Sequence, residues 1–242
     1  MAFVPFTAAH WAGIVFAIAA AALIIGFRNL IRVEARDRKL RLSLAAILIG
    51  TELSLYTWYG VTDNWGLHAL PFQLCTITLW VSAITLITRC RKLYDIAFFL
   101  GILGATQALL TPNLDETFPN FRYFHFFIAH AAIVGAGVYM AVIDGYRPNL
   151  RSVWRAWGWL NGFALAAGIA NKATGENFMF VARKPDTASL LDLLPPWPWY
   201  LLELEIIALA LCMLLLGIAR FSGRVFGKRN TQIEVYGEDV VK

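Results

Sequence analysis

Apolar residues run along this chain in long stretches broken by short polar ones. Seven such runs fall at about 8–27, 42–60, 70–88, 93–111, 123–143, 154–171 and 198–219. Each approaches the roughly 20 residues that a helix needs to cross a hydrocarbon core. The spacing is helical, and ten-residue alternating segments, the mark of a membrane barrel, are absent. The pattern predicts an all-α fold. Residues 1–242 form a single domain, a polytopic bundle of seven transmembrane helices with a tail at 220–242.

Composition agrees. Hydrophobic residues make up 59% of the chain and charged ones 15%; mean hydropathy is +0.59. These values lie outside the soluble globular range. The formal charge of +5 does not indicate nucleic acid, because the basic residues gather in short loops and not on a soluble face. Arg28, Arg32, Arg36, Arg38, Lys39 and Arg41 occupy the first loop. Arg89, Arg91 and Lys92 occupy the third, and Arg147, Arg151 and Arg155 the fifth. Arg220, Arg224, Lys228, Arg229 and Lys242 lie in the tail. Only Arg122, Lys172, Arg183 and Lys184 fall on the other side. The positive-inside rule then places the N-terminus outside and the C-terminus in the cytoplasm, as in a multi-pass plasma-membrane protein. The first ten residues hold no Lys or Arg, so the first run is expected to stay as a helix.

Polar side chains inside hydrocarbon are costly and mark bundle interiors or wet cavities. Here they share one depth. Glu52, Gln73, Cys75, Gln107, His125, His130, Asn171, Glu203 and Glu205 lie within roughly the outer 12 Å of their helices, counted at 1.5 Å per residue. The inner half, Ser and Thr aside, reads as almost bare. Such a layer suits an outward-facing polar pocket lined by Glu52, Gln73, Gln107, His125, Asn171 and Glu203, although interhelical hydrogen bonding gives the same pattern. Glu203 and Glu205 are two apart, so only one faces inward well, and Glu203 is taken as that one. Glu52 is expected to pair with a cation such as Lys172 or to carry a proton. The long connection 172–197 mixes apolar and charged residues and is expected to fold back in part as a lid. Within the sixth run, "GWLNG" has the GxxxG spacing of close helix packing.

Cys75 and His130 reach similar depths, about 7 and 10 Å from their outer ends. A histidine beside a thiol can generate the thiolate nucleophile; equally, a lone membrane cysteine packs as a small apolar residue. The three cysteines, Cys75, Cys90 and Cys212, fit neither a disulfide framework nor a zinc site. The spacing of His125, His130 and Glu203 does not specify a metal site. Neither a phosphate loop nor a haem motif is present, and no cofactor is expected.

Three stretches, "LPFQLCTITL", "GATQALLTPNL" with "FPNFRYFHFFIAH", and "NFMFVARKP" with "SLLDLLPPWPWYLLELE", resemble the YwaF-type bacterial integral membrane family. That family is similar, more distantly, to a eukaryotic transmembrane phospholipid acyltransferase that works through a cysteine and a histidine. The resemblance implies Cys75 as acyl-accepting nucleophile and His130 as its base. Gln73 stands where the bacterial family reads a histidine. Two functions follow as expectations. One is a lipid acyltransferase or acyl hydrolase whose partners are membrane lipids. The other is a non-enzymatic small-molecule receptor, transporter or envelope-partner subunit.

Overall fold

A computed structural model describes residues 3–185 and 189–238, with side chains described as far as residue 222. The side chains of Arg224, Lys228 and Arg229, and Lys242 altogether, lie outside the described residues. Each apolar run contains a helix: α1 Ala8–Gly26, α2 Glu34–Val61, α3 Leu74–Thr88, α4 Ile96–Leu110, α5 Phe121–Val142, α6 Leu150–Thr174 and α7 Trp199–Glu238. No strand occurs among the described residues. Five stretches are long and apolar enough to cross a membrane: α1, α2, Leu67–Thr88 (which contains α3), α5, and Trp199–Ser222 of α7. The apolar α4 is shorter. α6 is long but carries Arg151, Arg155, Asn161 and Lys172, which dilute its hydropathy.

Helix α5 is the hub. Its apolar stretch is 67% buried, against 11% for the last helix, and α1, α2, α3 and α4 all pack around it. Small residues on α5 permit this. Gly135 takes Ile24 and Leu44 at van der Waals distance, and Gly137 receives the Ile102 side chain of α4. Gly13 of α1 lies flat against the Phe127 ring. α4 begins as a π-helix over Ile96–Gly101, six consecutive buried residues, and such wide turns let one helix meet several neighbours. α6 and α7 pack on the side of this group, and their outer faces expose Leu165, Ile169, Leu202, Ile206 and Leu214. Apolar faces of this kind suit contact with lipid tails.

His10 fastens α1. Its Nδ1 accepts the Phe6 N–H at 2.9 Å, so its Nε2 carries the proton and donates to the Leu109 carbonyl at 2.8 Å. The ring is fully buried, which those two bonds make tolerable. α6 starts at a reciprocal capping box between Asn149 and Ser152.

The basic end of the bundle carries a polar network at and just beyond the ends of the apolar runs. Arginines there cap helix C-termini. Arg32 donates to the Val142 carbonyl at 2.7 Å, Arg147 to Ala141 at 2.9 Å and Arg41 to Ile87 at 3.1 Å. Three aspartates each join a tyrosine and an arginine. Asp37 accepts from Tyr139 and Arg89, and Asp144 accepts from Tyr94 and lies 3.8 Å from Arg91. Asp95, 4% exposed, accepts from Tyr146 and Arg155. These bonds tie the last turns of α3 and α5 to α2, α4 and α6.

Candidate functional site

Cys75 is the second residue of α3. Pro71 and the extended Gln73 end the preceding segment, and the helix starts with no side-chain cap. The first amides of α3 therefore lack intrahelical partners. Cys75 is a free thiol, half-buried. Three, four and seven residues on come Thr78, Leu79 and Ser82, all buried, so Cys75 heads the buried stripe of α3. That stripe faces α4 and α5. Ser82 Oγ lies 3.7 Å, and Ile133 Cγ2 3.2 Å, from where a Cβ on Gly101 would stand.

His130 precedes Ile133 by one turn on the same face of α5 and is 8% exposed. Its Nδ1 bonds the Phe126 carbonyl at 2.7 Å. A carbonyl only accepts, so Nδ1 holds the proton and Nε2 keeps its lone pair. The Phe126 ring, with its centroid 4.2 Å from that of His130, fixes the imidazole from the side. Cys75 and His130 thus lie on helices that pack together, α3 and α5. No hydrogen bond joins Cys75 to His130 among the described residues.

A second group forms where α2 meets the start of α5. Glu52, 3% exposed, lies one turn before Tyr56 on the same face of α2. The Arg122 guanidinium lies over Trp58 at 5.7 Å and Tyr59 at 5.9 Å. His125 leans on the Phe121 ring, and both its nitrogens are buried with no partner. His68 meets Tyr59 edge-on at 5.1 Å, and Trp65 adjoins Tyr56 at 5.7 Å. Arg122 thus sits against Trp58 and Tyr59, one turn before His125 on α5, whereas His130 lies two turns along that helix. Lys172 is exposed, and no ion pair of Glu52 occurs among the described residues. Sequence reasoning assigned Arg122 to topology and passed over Tyr56, Tyr59 and His68. Their spacing was the available signal, since residues 52, 56 and 59 share one helical face.

The other predicted residues have separate bonds. Asn171 clamps the long connection, donating to the Phe178 carbonyl at 3.1 Å and accepting the Phe178 N–H at 2.7 Å. Gln73 Oε1 accepts the Met179 N–H at 3.0 Å. Tyr200 donates to the Phe180 carbonyl, and Trp197 Nε1 to Val181 at 3.2 Å. These bonds hold Met179 and Phe180 in left-handed conformations, φ 54° and 53°, which cost about 1–2 kcal/mol per residue. Phe178 packs on Phe72 at 5.5 Å. So the described part of the connection does fold back, onto the residues just before Cys75. Gln107 bonds Thr111 within its own helix at 2.9 Å. Across from α7, Asn161 donates to Glu205 at 3.0 Å; the acidic residue that meets α6 is Glu205, whereas Glu203 was the expected one. Among the described residues no cluster of three metal-type ligands occurs.

A model of the TMEM164 family matches residues 5–216 of the chain. No curated protein and no solved structure matches it.

Proposed function

Since the chain belongs to the TMEM164 family, a family of membrane proteins, we propose that it transfers or hydrolyses acyl groups of membrane lipid. Cys75 is the nucleophile and His130 the base. The observation that carries this reading is the Nδ1 bond from His130 to the Phe126 carbonyl at 2.7 Å. It leaves Nε2 free to accept a proton, and α5 packs against α3, the helix that carries Cys75.

In the proposed reaction Nε2 takes the thiol proton as Sγ attacks the ester carbonyl carbon. The unpaired amides at the start of α3 support the oxyanion. Collapse breaks the acyl C–O bond, and the leaving alkoxide takes the proton back from Nε2. A thioester on Cys75 and a deacylated lipid result. Nε2 then deprotonates water or the hydroxyl of an acceptor lipid, which attacks the thioester and frees the thiol. In the same reading all seven helices cross the plasma membrane. The N-terminus faces outward and the C-terminus the cytoplasm, as in the YwaF-type bacterial family. Cys75 and His130 then sit beneath the outer headgroups.

The test is turnover of labelled phospholipid by purified protein. Wild type should release or transfer the acyl chain, and Cys75→Ser and His130→Gln should each lose at least about 100-fold, the scale of a general base. Unchanged turnover in Cys75→Ser would end the proposal. The buried Glu52 favours a second reading, a non-enzymatic receptor, transporter or envelope-partner subunit whose ligand is a cation. Stabilisation of wild type by a soluble amine, with Cys75 inert to thiol reagents, would select it.

A further inference from the structure

We infer that Arg122 and His125 form a binding site for a phosphate group at the junction of α2 and α5. Arg122 is half-buried, and its guanidinium is set by the Trp58 and Tyr59 faces at 5.7 and 5.9 Å. Those rings orient a cation but accept none of its N–H bonds in the plane of the fork. Among the described residues, no carboxylate lies within the 4 Å of an ion pair and no acceptor bonds it. His125, three residues on and therefore adjacent on the helix surface, has both ring nitrogens buried and unbonded. A buried imidazole with neither nitrogen bonded is unfavourable and calls for an explanation. A tetrahedral oxyanion suits both groups: two oxygens match the half-buried guanidinium fork, and a third meets the imidazole N–H.

Glu52 does not fill this place: it is seven residues, or roughly 10 Å, from Tyr59 along α2, and no ion pair joins it to Arg122 among the described residues. His68, beside Tyr59, and Trp65 are exposed and edge the same aromatic group.

The experiment measures thermal stability of the purified full chain in uncharged detergent. It is run with inorganic phosphate, with phosphatidylcholine, or with diacylglycerol of the same acyl chains. Wild type and Cys75→Ser should both be stabilised by phosphatidylcholine and not by diacylglycerol. Arg122→Gln should need on the order of tenfold more phosphatidylcholine for the same effect, and Arg122→Lys should recover part of the affinity, a control against simple misfolding. If inorganic phosphate also stabilises, the site takes the free ion; if only the phospholipid does, it reads a headgroup. Equal stabilisation of Arg122→Gln and wild type would overturn the site, as would equal effects of diacylglycerol and phosphatidylcholine. Loss of turnover in Cys75→Ser with binding intact keeps the two proposals separate.

Discussion

Replacing Gly13 by Ala tests the central packing contact of the bundle. A Cβ at Gly13 would stand 2.2, 2.3 and 2.6 Å from Cδ1, Cε1 and Cγ of Phe127. The ring cannot step aside easily. It is 2% exposed and hemmed by Tyr123 at 4.8 Å, Phe126 at 5.3 Å and His10 at 6.2 Å. Overpacking of this kind costs about 1–3 kcal/mol, and the upper part of that range applies. The better helix propensity of Ala returns about 1 kcal/mol. The net loss is about 1–2 kcal/mol, or roughly 2–8 °C in Tm for a chain of this size. Gly50 of α2 is the control, because a Cβ there meets nothing within 4 Å; Gly50→Ala should be neutral or raise Tm slightly. Thermal unfolding in detergent of wild type, Gly13→Ala, Gly50→Ala and Gly13→Ala with Phe127→Leu reads the effect. The double variant should recover part of the loss. A Gly13→Ala protein as stable as wild type would refute the packing of α1 on α5.

Three further outcomes follow from individual bonds. Tyr146 lies in the loop after α5, and burial, then its bond to Asp95, raise its hydroxyl above the ordinary value of 10.0. The folded state thus prefers the neutral phenol. Its contribution is complete below pH 10 and should fade as pH rises from 10 toward the folded value. Tyr146→Phe should flatten that alkaline fall in a stability-versus-pH series. Asn171→Ala removes both bonds to Phe178, about 1 kcal/mol each, and should make trypsin cleavage after the exposed Arg183 roughly 30-fold faster. Glu205→Ala should expose the loss of the Asn161 bond as about 1 kcal/mol of stability, while Glu203→Ala should change Tm little.

The helices were legible because apolar length is a strong signal: every run contains a helix, and most boundaries fall within a few residues. The resemblance of three stretches to a membrane family pointed the same way, and the family shown is the TMEM164 family. Side-chain pairing was less legible. Depth counting put Glu52, Gln73, His130 and Asn171 in one layer, and the structure gives several of them separate partners: His130 bonds the Phe126 carbonyl, Gln73 the Met179 N–H and Asn171 the Phe178 backbone. Depth has no angular content, however, so it could not see that Gln73 and Asn171 turn to the returning connection. Nor could it separate Glu203 from Glu205, which differ by a rotation of roughly 200° about one helix axis. The Tyr–Asp–Arg groups escaped because Asp37, Asp144 and Tyr146 lie at or beyond helix ends, where charge was read as topology. Arg122 escaped likewise; its partners are aromatic faces that hydropathy scores as apolar.

The most direct measurement for the account is the chemical state of Cys75 during exposure to lipid. Purified protein incubated with phosphatidylcholine, then quenched in acid and digested, should yield a Cys75 peptide heavier by one acyl chain. Hydroxylamine should remove that mass, and His130→Gln should not accumulate it. A Cys75 peptide that stays unmodified in wild type, while the lipid is turned over, would contradict the thioester and with it the proposed role of this cysteine.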